Sequence, residues 1–235
     1  MADVMVVLRS LLFYAGYVPV TAVMSLLFVT LFPLMNDRGR YRFSAAWCDF
    51  VLQWLRLSCG VRYRVIGSEN LPESASVIVA NHQSSWETLF FYRQVYPVAP
   101  ILKQELLKIP LWGLALRLLK PIAIDRSRPR EAGRSLLTQG VARLHAGYWV
   151  MVFPEGTRSP AGTVKRFSRG AARLAQAAGR PLVPVAHDSG HCWPARQFRK
   201  YPGTITLEIG PAVDCTSGDP EALTREVEDW VRRRV

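Results

Sequence analysis

A histidine and a glutamate five positions apart are the side chains in this sequence best suited to acid–base chemistry. His82 follows residues 76–80, a short run rich in valine and isoleucine that is typical of a strand buried on both faces. In open α/β sheets the ligand crevice lies beyond the carboxyl ends of the strands, which is where this pattern predicts His82. A carboxylate such as Glu87 can fix the tautomer of an imidazole and leave the other ring nitrogen to take a proton.

The spacing of the two residues sets a condition on the local structure. Each residue of a regular helix turns about 100°, so His82 and Glu87 in one helix would lie about 140° apart and would not meet. They meet only if residues 83–85 form a turn, with Ser84 or Ser85 capping a helix whose first turn contains Glu87. The spacing alone is a weak signal, because a histidine near a strand end is more often structural.

Two sequence blocks resemble those of glycerolipid acyltransferases of the 1-acylglycerol-3-phosphate type. The first is Asn-His-Gln-Ser-Ser-Trp-Glu at residues 81–87, and the second is Phe-Pro-Glu-Gly-Thr-Arg-Ser at residues 153–159. The resemblance implies transfer of a fatty acyl group to the free hydroxyl of lysophosphatidic acid, which gives phosphatidic acid. His82 would be the general base and Glu87 would orient it. Most of the family carries aspartate at the second position, although a glutamate version is also part of the resemblance.

Polar residues at other predicted strand ends are candidates for binding a phosphate. In the block at residues 153–159, glycine permits close backbone approach and arginine offers a planar fork, although a surface turn could use the same residue types. The resemblance implies that Arg158 is the principal contact and that Glu155 shapes the loop. It also implies phosphate roles for Lys103 and Arg126, although spacing alone would equally fit a solvated lysine. The substrate-binding residues expected are Lys103, Arg126, Glu155, Gly156, Thr157 and Arg158.

The reaction implied by the resemblance requires neither a cofactor nor a metal. The acyl donor is a substrate, either acyl-CoA or acyl-carrier-protein, and the sequence contains no G-x-S-x-G elbow that would indicate a covalent acyl-enzyme. His187 and His191 lack recognisable ligand spacing and are interpreted as surface or strand-end histidines. The four cysteines follow neither a metal-ligand nor a disulfide pattern, so we expect buried or half-buried thiols.

The amino-terminal stretch is apolar enough to enter a membrane. No charged residue occurs at residues 10–36, and a helix of about 20 apolar residues crosses the hydrocarbon layer of a bilayer. A second apolar segment, residues 43–57, has hydrophobic residues at three- and four-residue spacings and predicts an amphipathic helix. Pro19 argues against one straight span, and the resemblance favours a helical hairpin that dips into one leaflet. The alternatives are one spanning helix or two core helices of a soluble domain.

The positive charge of the chain predicts an anionic partner. The formal charge is +12, and 49% of the residues are hydrophobic, which suits anionic membrane lipids. Nucleic acid is not expected as a partner, because no reading helix or aromatic RNA platform is recognisable. Arginines around the second apolar segment favour an inner or cytoplasmic membrane with the catalytic domain facing the cytoplasm; these are Arg38, Arg40, Arg42 and Arg56.

The order of the predicted elements indicates an α/β fold, a mixed sheet flanked by helices, with an N-terminal membrane-associated helical hairpin. We expect a membrane-associated helical segment at residues 1–60 and an acyltransferase catalytic domain at residues 61–235. Predicted strands include residues 61–66, 76–80, 99–102, 121–125, 148–153, 182–186 and 204–209, and predicted helices include residues 114–119, 131–145, 170–178 and 220–234.

The competing functions are acyl transfer to another lysolipid or to glycerol 3-phosphate, a non-catalytic membrane scaffold, and nucleic-acid binding.

Overall fold

A computed structural model describes residues 2–125 and 127–235, which form two long helices followed by a sheet with helices on both faces. The helices are α1 (Ala2–Leu31), α2 (Asp37–Cys59), α3 (Trp86–Gln94), α4 (Trp112–Leu118), α5 (Pro129–His145), α6 (Gly170–Ala178) and α7 (Pro220–Arg232). The strands are β1 (Val61–Ile66), β2 (Val77–Ala80), β3 (Val98–Lys103), β4 (Ile122–Ile124), β5 (Trp149–Val152), β6 (Leu182–His187) and β7 (Gly203–Ile209). Short 3-10 helices lie at Phe32–Leu34, Ser68–Asn70, Gln104–Lys108 and Ser189–His191.

The sheet is mixed, as the sequence predicted. Its strand order is β1-β7-β6-β2-β5-β3-β4, and neighbouring strands run parallel except for β6 and β7, which pair antiparallel. In the central strand, Ile78 lies beside Val183 of β6 and Met151 of β5. Since β6, β2, β5 and β3 are all parallel, their carboxyl ends meet at one edge of the sheet, where a ligand crevice is expected.

The central position of β2 in the sheet accounts for its uninterrupted apolar sequence. All four of its residues are buried. Ile78 and Ala80 belong to the hydrophobic cluster formed with α2 and α3, whereas Val77 and Val79 belong to the cluster formed with α5, α6 and α7. Because successive side chains of a strand point to opposite faces, β2 stabilises both layers and its carboxyl end is held rigidly.

Helices α1 and α2 form an antiparallel hairpin. The indole nitrogen of Trp47 donates a hydrogen bond to Thr21 Oγ1 at 3.2 Å, and that of Trp54 donates to the carbonyl oxygen of Phe13 at 3.0 Å. Gly16 is required for this close approach, because a Cβ atom there would lie 2.4 Å from the Trp54 ring. The helical hairpin that the sequence predicted is therefore present.

The first helix is continuous through Pro19, so the proline does not end it. Asp3–Leu34 is the one segment of the described chain that is helical, long and apolar enough to cross a membrane, judged by length and composition. Several of its apolar side chains are exposed, among them Leu8, Leu12 and Leu26. The second helix is amphipathic, as predicted; its buried residues are Tyr41, Ser44, Cys48, Val51, Leu52, Leu55, Ser58 and Cys59.

The predicted elements are all present; their ends differ by one residue or so in the strands and by up to two residues in the helices. Helix α5 begins at Pro129, two residues before the predicted start, because the fixed φ of proline suits the first turn of a helix. Helix α4 likewise begins earlier, at Trp112, and α7 ends at Arg232 rather than at residue 234.

Candidate active site

The structure brings His82 and Glu87 into direct contact. His82 follows β2, Glu87 lies in the first turn of α3, and His82 Nδ1 is 2.7 Å from Glu87 Oε1. An ionised carboxylate can only accept a hydrogen bond, so Nδ1 carries the proton and Nε2 is left as the acceptor. The imidazole ring stacks on Phe153, with the two ring centroids 4.0 Å apart.

A bend at Ser84 and Ser85 allows this contact. Ser84 Oγ accepts a hydrogen bond from the backbone N–H of Trp86 at 2.9 Å, so a serine side chain binds an otherwise free donor at the start of α3. The backbone N–H groups of Gln83 and Ser84 donate to Glu87 Oε1 at 3.1 and 2.9 Å. The glutamate side chain therefore folds back over the turn that precedes its own helix.

Behind the imidazole, Glu87 belongs to a fully buried polar network. Glu87 Oε2 accepts hydrogen bonds from Ser84 Oγ and from Ser189 Oγ, the latter at 3.1 Å. His187 Nε2 lies 2.8 Å from the carbonyl oxygen of Asn81 and 4.0 Å from Glu87 Oε1. Both neighbours are acceptors, so Nε2 carries the proton, and His187 Nδ1 accepts from the backbone N–H of Ser189 at 3.4 Å. His187 ends a strand, as the sequence indicated, but it is buried beside the candidate base.

The network favours a charged Glu87 and a neutral His187. Burial alone would raise the pKa of Glu87, but the hydrogen bonds that the carboxylate accepts, among them those from His82 and Ser84, hold that pKa well below its ordinary value of 4.5. Burial also lowers the pKa of His187, against the opposing effect of Glu87, so His187 is neutral at pH 7. The carboxylate is thus stabilised by hydrogen-bond donors that are already in place.

Glu155 connects the loop after β5 to the backbone of His82. Glu155 Oε1 accepts a hydrogen bond from the backbone N–H of His82 at 2.8 Å, and its other oxygen accepts from Lys165 N at 2.8 Å and from Ser159 Oγ. The backbone N–H of Ser159 donates to the carbonyl oxygen of His82 at 2.7 Å. Gly156 has a φ of 70°, a left-handed conformation that favours glycine.

An open cleft of about 440 Å³ lies in front of His82, and its walls carry positive charge. Lys103, at the end of β3, and Arg158, after β5, both line it together with Thr157. Arg158 donates a hydrogen bond to Ser85 Oγ at 2.9 Å. The lining residues within the described ranges are Tyr17, His82, Ser85, Thr88, Leu89, Tyr92, Pro100, Ile101, Leu102, Lys103, Leu106, Trp112, Leu116, Phe153, Thr157, Arg158 and Arg196, none of them acidic.

An apolar pocket adjoins the cleft and shares Tyr92, Trp112 and Leu116 with it. The pocket lies between α1, α2 and α4. Its lining residues are Met24, Ser25, Phe28, Phe43, Ser44, Trp47, Cys48, Tyr92, Trp112, Ala115, Leu116 and Leu119. A hydrocarbon chain attached to a group in the cleft would find an apolar environment there.

The structure places most of the predicted site residues around His82. Lys103, Thr157 and Arg158 line the cleft beside it, Glu87 lies behind it, and Glu155 and Gly156 belong to the adjoining loop. Arg126 lies outside the described residues. Among the residues described, no group of three or more histidine, cysteine, aspartate or glutamate side chains is placed to hold a metal. The four cysteines are buried and free.

Sequence reasoning missed the residues that support the dyad from β6. His187 and Ser189 contact the network only because β6 lies beside β2, and the strand order cannot be read from the sequence. A polar residue at the end of the apolar run in β6 is the signal that could have indicated His187, since the same signal indicated His82. Tyr17 of α1 also lines the cleft, although neither the membrane interpretation of α1 nor the alternative of a core helix assigned a site residue to it.

Chemically, the arrangement combines a base with anion-binding groups. The free Nε2 of His82 can accept a proton from a hydroxyl in the cleft, and Glu87 can stabilise the imidazolium that forms. Lys103 and Arg158 are placed to bind an anionic part of the same molecule. A hydroxyl-bearing phosphate with an apolar tail fits this combination.

Comparison with known proteins points to the same chemistry. The family model described as Acyltransferase matches residues 62–188. The 1-acyl-sn-glycerol-3-phosphate acyltransferase of Pseudomonas aeruginosa is 45% identical over 95% of this chain and 89% of its own length. The human alpha enzyme of the same name is 33% identical over 89% of this chain and 73% of its length. The chain also resembles the crystal structure of the 1-acyl-sn-glycerophosphate acyltransferase of Thermotoga maritima, with a TM-score of 0.83 and 29% identity. The match covers 99% of this chain and 95% of the Thermotoga maritima chain. The two sequence blocks predicted the family correctly, and the chain belongs to the 1-acyl-sn-glycerol-3-phosphate acyltransferases.

Proposed function

We propose that the protein transfers a fatty acyl group from a thioester donor to the sn-2 hydroxyl of lysophosphatidic acid, giving phosphatidic acid. One observation carries the proposal: His82, with Nδ1 held by buried Glu87, opens onto a cleft that contains Lys103 and Arg158. The names of the related proteins from Pseudomonas aeruginosa and human support the choice of acceptor.

In the proposed mechanism His82 acts first as a base and then as an acid. Its Nε2 takes the proton of the acceptor hydroxyl as the oxygen attacks the thioester carbonyl carbon. The carbon–sulfur bond then breaks, and the thiolate takes the proton from the imidazolium. General acid–base catalysis of this kind contributes about 10² to 10⁴-fold to a rate. Glu87 stabilises the imidazolium in between, and no cofactor takes part.

The acceptor phosphate is bound by the cations of the cleft. In this proposal Lys103, Arg126 and Arg158 contact the phosphate, while Gly156 and Thr157 let the loop approach it closely. Glu155 holds that loop against the backbone of His82, as its hydrogen bonds indicate. Fixing the phosphate positions the hydroxyl at the base, which lowers the entropic cost of reaching the transition state. The fatty chain of a substrate would lie in the adjoining apolar pocket.

Residues 1–60 would attach the enzyme to a membrane, with residues 61–235 as the catalytic part. The exposed apolar side chains of α1 and the +12 charge support attachment to a surface rich in anionic lipids. The arginines near α2 support the cytoplasmic face of an inner or cytoplasmic membrane as the location. Membrane fractionation, followed by protease treatment of sealed vesicles of known orientation, tests both statements.

An acyl-transfer assay with radiolabelled donor tests the function. Lysophosphatidic acid, a lysolipid with a zwitterionic headgroup and glycerol 3-phosphate are compared as acceptors, with acyl-CoA and acyl-carrier-protein as donors. We expect the largest kcat/KM for lysophosphatidic acid. A larger value for either of the other acceptors would assign a different acceptor, and no transfer to any of them would show that the protein is not catalytic.

A further inference from the structure

A third cation reaches the cleft from a different side. Arg196 lines the cleft together with His82, Lys103 and Arg158, and it lies in the segment that connects β6 to β7. Lys103 is the last residue of β3 and Arg158 follows β5, whereas β6 lies on the other side of β2 from those two strands. Cations therefore approach the candidate base from both sides of the central strand.

The loop that carries Arg196 is fixed by a buried lysine. Lys200 has no exposed surface, and its ammonium group donates hydrogen bonds to the carbonyl oxygens of Gln197 and Phe198, each at 2.9 Å. The backbone N–H of Lys200 donates to Ser10 Oγ of α1 at 2.9 Å. Burying an ammonium group is costly unless it is hydrogen-bonded, so these contacts hold the loop in one shape and against α1.

Aromatic contacts hold the same loop on both sides of Arg196. Trp193 packs edge-on against Phe13 of α1, with ring centroids 5.3 Å apart, and Phe198 stacks on Tyr14 at 5.1 Å. Arg196 thus lies between two anchored positions, and its backbone cannot relax freely.

The backbone of Arg196 is strained. Its φ is 59°, a left-handed conformation that side chains with a Cβ atom rarely adopt. Strained residues occur preferentially at functional sites, where the surrounding structure holds them. The guanidinium group is exposed and makes no hydrogen bond or ion pair with any other described residue. Arg199 in the same loop differs, since it pairs with Asp3 at 3.1 Å.

These observations point to a ligand rather than to a structural role. A glycine at this position would adopt the same backbone conformation without strain. The exposed guanidinium has no partner in the described structure that would explain the strain, and the cleft it faces has no acidic residue among its described lining. A planar fork of donors suits a phosphate, which can accept two parallel hydrogen bonds from it.

We propose that Arg196 is a binding residue for a phosphate ester carried by one of the two substrates, at a point separate from Lys103 and Arg158. This inference rests on the proposed function, in which both the acceptor and the thioester donor carry phosphate. Either the acceptor phosphate extends across the cleft to Arg196, or the phosphate at the far end of the donor's pantetheine arm lies there.

The Arg196→Gly variant removes the guanidinium charge without changing the backbone conformation. Glycine keeps the left-handed conformation, so the loop should stay intact and the melting temperature should not fall. We expect kcat/KM to drop about tenfold to a hundredfold, mainly through KM, because hydrogen bonds to charged groups are worth about 1.5–3 kcal/mol. Arg196→Lys should keep part of the effect. Gln197→Ala, in the same loop and also exposed, serves as the matched control and should behave like wild type.

The KM values identify the source of the phosphate. A rise in the KM of lysophosphatidic acid assigns the acceptor, and a rise in the KM of acyl-CoA assigns the donor. In the second case an acyl-N-acetylcysteamine donor, which lacks phosphate, should be used equally well by wild type and Arg196→Gly. The inference is wrong if both KM values stay unchanged or if kcat alone falls. Wild-type protein that does not acylate lysophosphatidic acid at all would instead overturn the proposed function.

Discussion

The two sides of His82 are built in opposite ways. Its buried side consists of Asn81, Ser84, Glu87, His187 and Ser189, all without exposed surface or nearly so, and Glu87 alone accepts five hydrogen bonds. Its cleft side consists of Lys103, Thr157, Arg158 and Arg196, most of them exposed and with few protein partners.

The difference shows which part of the site is ready before a substrate arrives. Donors on the buried side are already hydrogen-bonded in the geometry that the base requires, so no reorganisation is needed there during the reaction. Cations on the cleft side keep their donors available for a phosphate that has not yet bound. Changes on the buried side should therefore lower kcat, and changes on the cleft side should raise KM.

The largest effect is expected from His82→Ala, which removes the group that joins the two sides. We predict that kcat falls about 10² to 10⁴-fold, because general base catalysis is lost. The protein should remain folded, with a circular dichroism spectrum like that of wild type. His191→Ala is the control, since His191 is exposed and has no contact with the dyad. Wild-type rates in His82→Ala would exclude the mechanism.

Replacing Glu87 tests the buried side directly. In Glu87→Gln the side chain keeps nearly the same shape but loses the charge that stabilises the imidazolium, so kcat should fall roughly a hundredfold. Glu87→Asp should retain some activity, because its carboxylate is still present but is one methylene shorter. Steady-state kinetics at constant lipid composition measure both. Equal kcat values for Glu87→Gln and wild type would show that the dyad is not catalytic.

Replacing Arg158 tests the cleft side. Arg158→Ala should raise the KM for lysophosphatidic acid about tenfold to a hundredfold, since it removes hydrogen bonds from a charged donor. Arg158→Lys should lie between alanine and wild type, because lysine keeps the charge without the planar fork. Arg173→Ala provides a control with an exposed arginine elsewhere in the chain. A fall in kcat with an unchanged KM would remove the distinction between the two sides.

A smaller effect is expected from Ser189→Ala. The variant removes one of the five hydrogen bonds to Glu87, which is worth about 0.5–1.5 kcal/mol, so kcat should fall roughly twofold to tenfold. The KM for lysophosphatidic acid should stay unchanged, because Ser189 does not line the cleft. A larger change in KM than in kcat would contradict the assignment of Ser189 to the buried side.

The last prediction concerns the stability that the Glu87 charge supplies, which should change only under acidic conditions. The pKa of this carboxyl is lowered in the folded protein, so its contribution is fully present above the ordinary value of 4.5 and is lost as the pH falls below it. The difference in free energy of unfolding between wild type and Glu87→Gln should be constant above about pH 5 and should shrink below about pH 4.5. Denaturant unfolding over this range measures it, and a difference that grows on acidification would contradict the lowered pKa.

The contact between His82 and Glu87 could be predicted because it is local. It requires only a strand end, a turn and a helix start within a few residues, and each has its own sequence signal. Lys103 and Arg158 could be placed for a similar reason, since strand ends in a parallel sheet meet at one edge. The family resemblance then assigned roles that spacing left open.

The contributions from β6 and from the following loop could not be predicted in this way. His187 and Ser189 depend on β6 lying beside β2, a pairing between segments that are distant in sequence. Arg196 depends on a left-handed backbone and on the burial of Lys200, and neither has a recognisable local signal. The antiparallel pairing of β7 was equally invisible in the apolar pattern of that strand.

The contact between Phe13 and Trp193 has a consequence for how the protein is made. Ribosomes add about 5–20 residues per second, so α1 leaves the ribosome on the order of ten seconds or more before the segment that covers it. During that time the apolar face of α1 has no partner from the later strands. In the folded protein, Phe13 of that face belongs to the same hydrophobic cluster as Ile205 of β7. A bilayer or a chaperone can shelter that face in the interval.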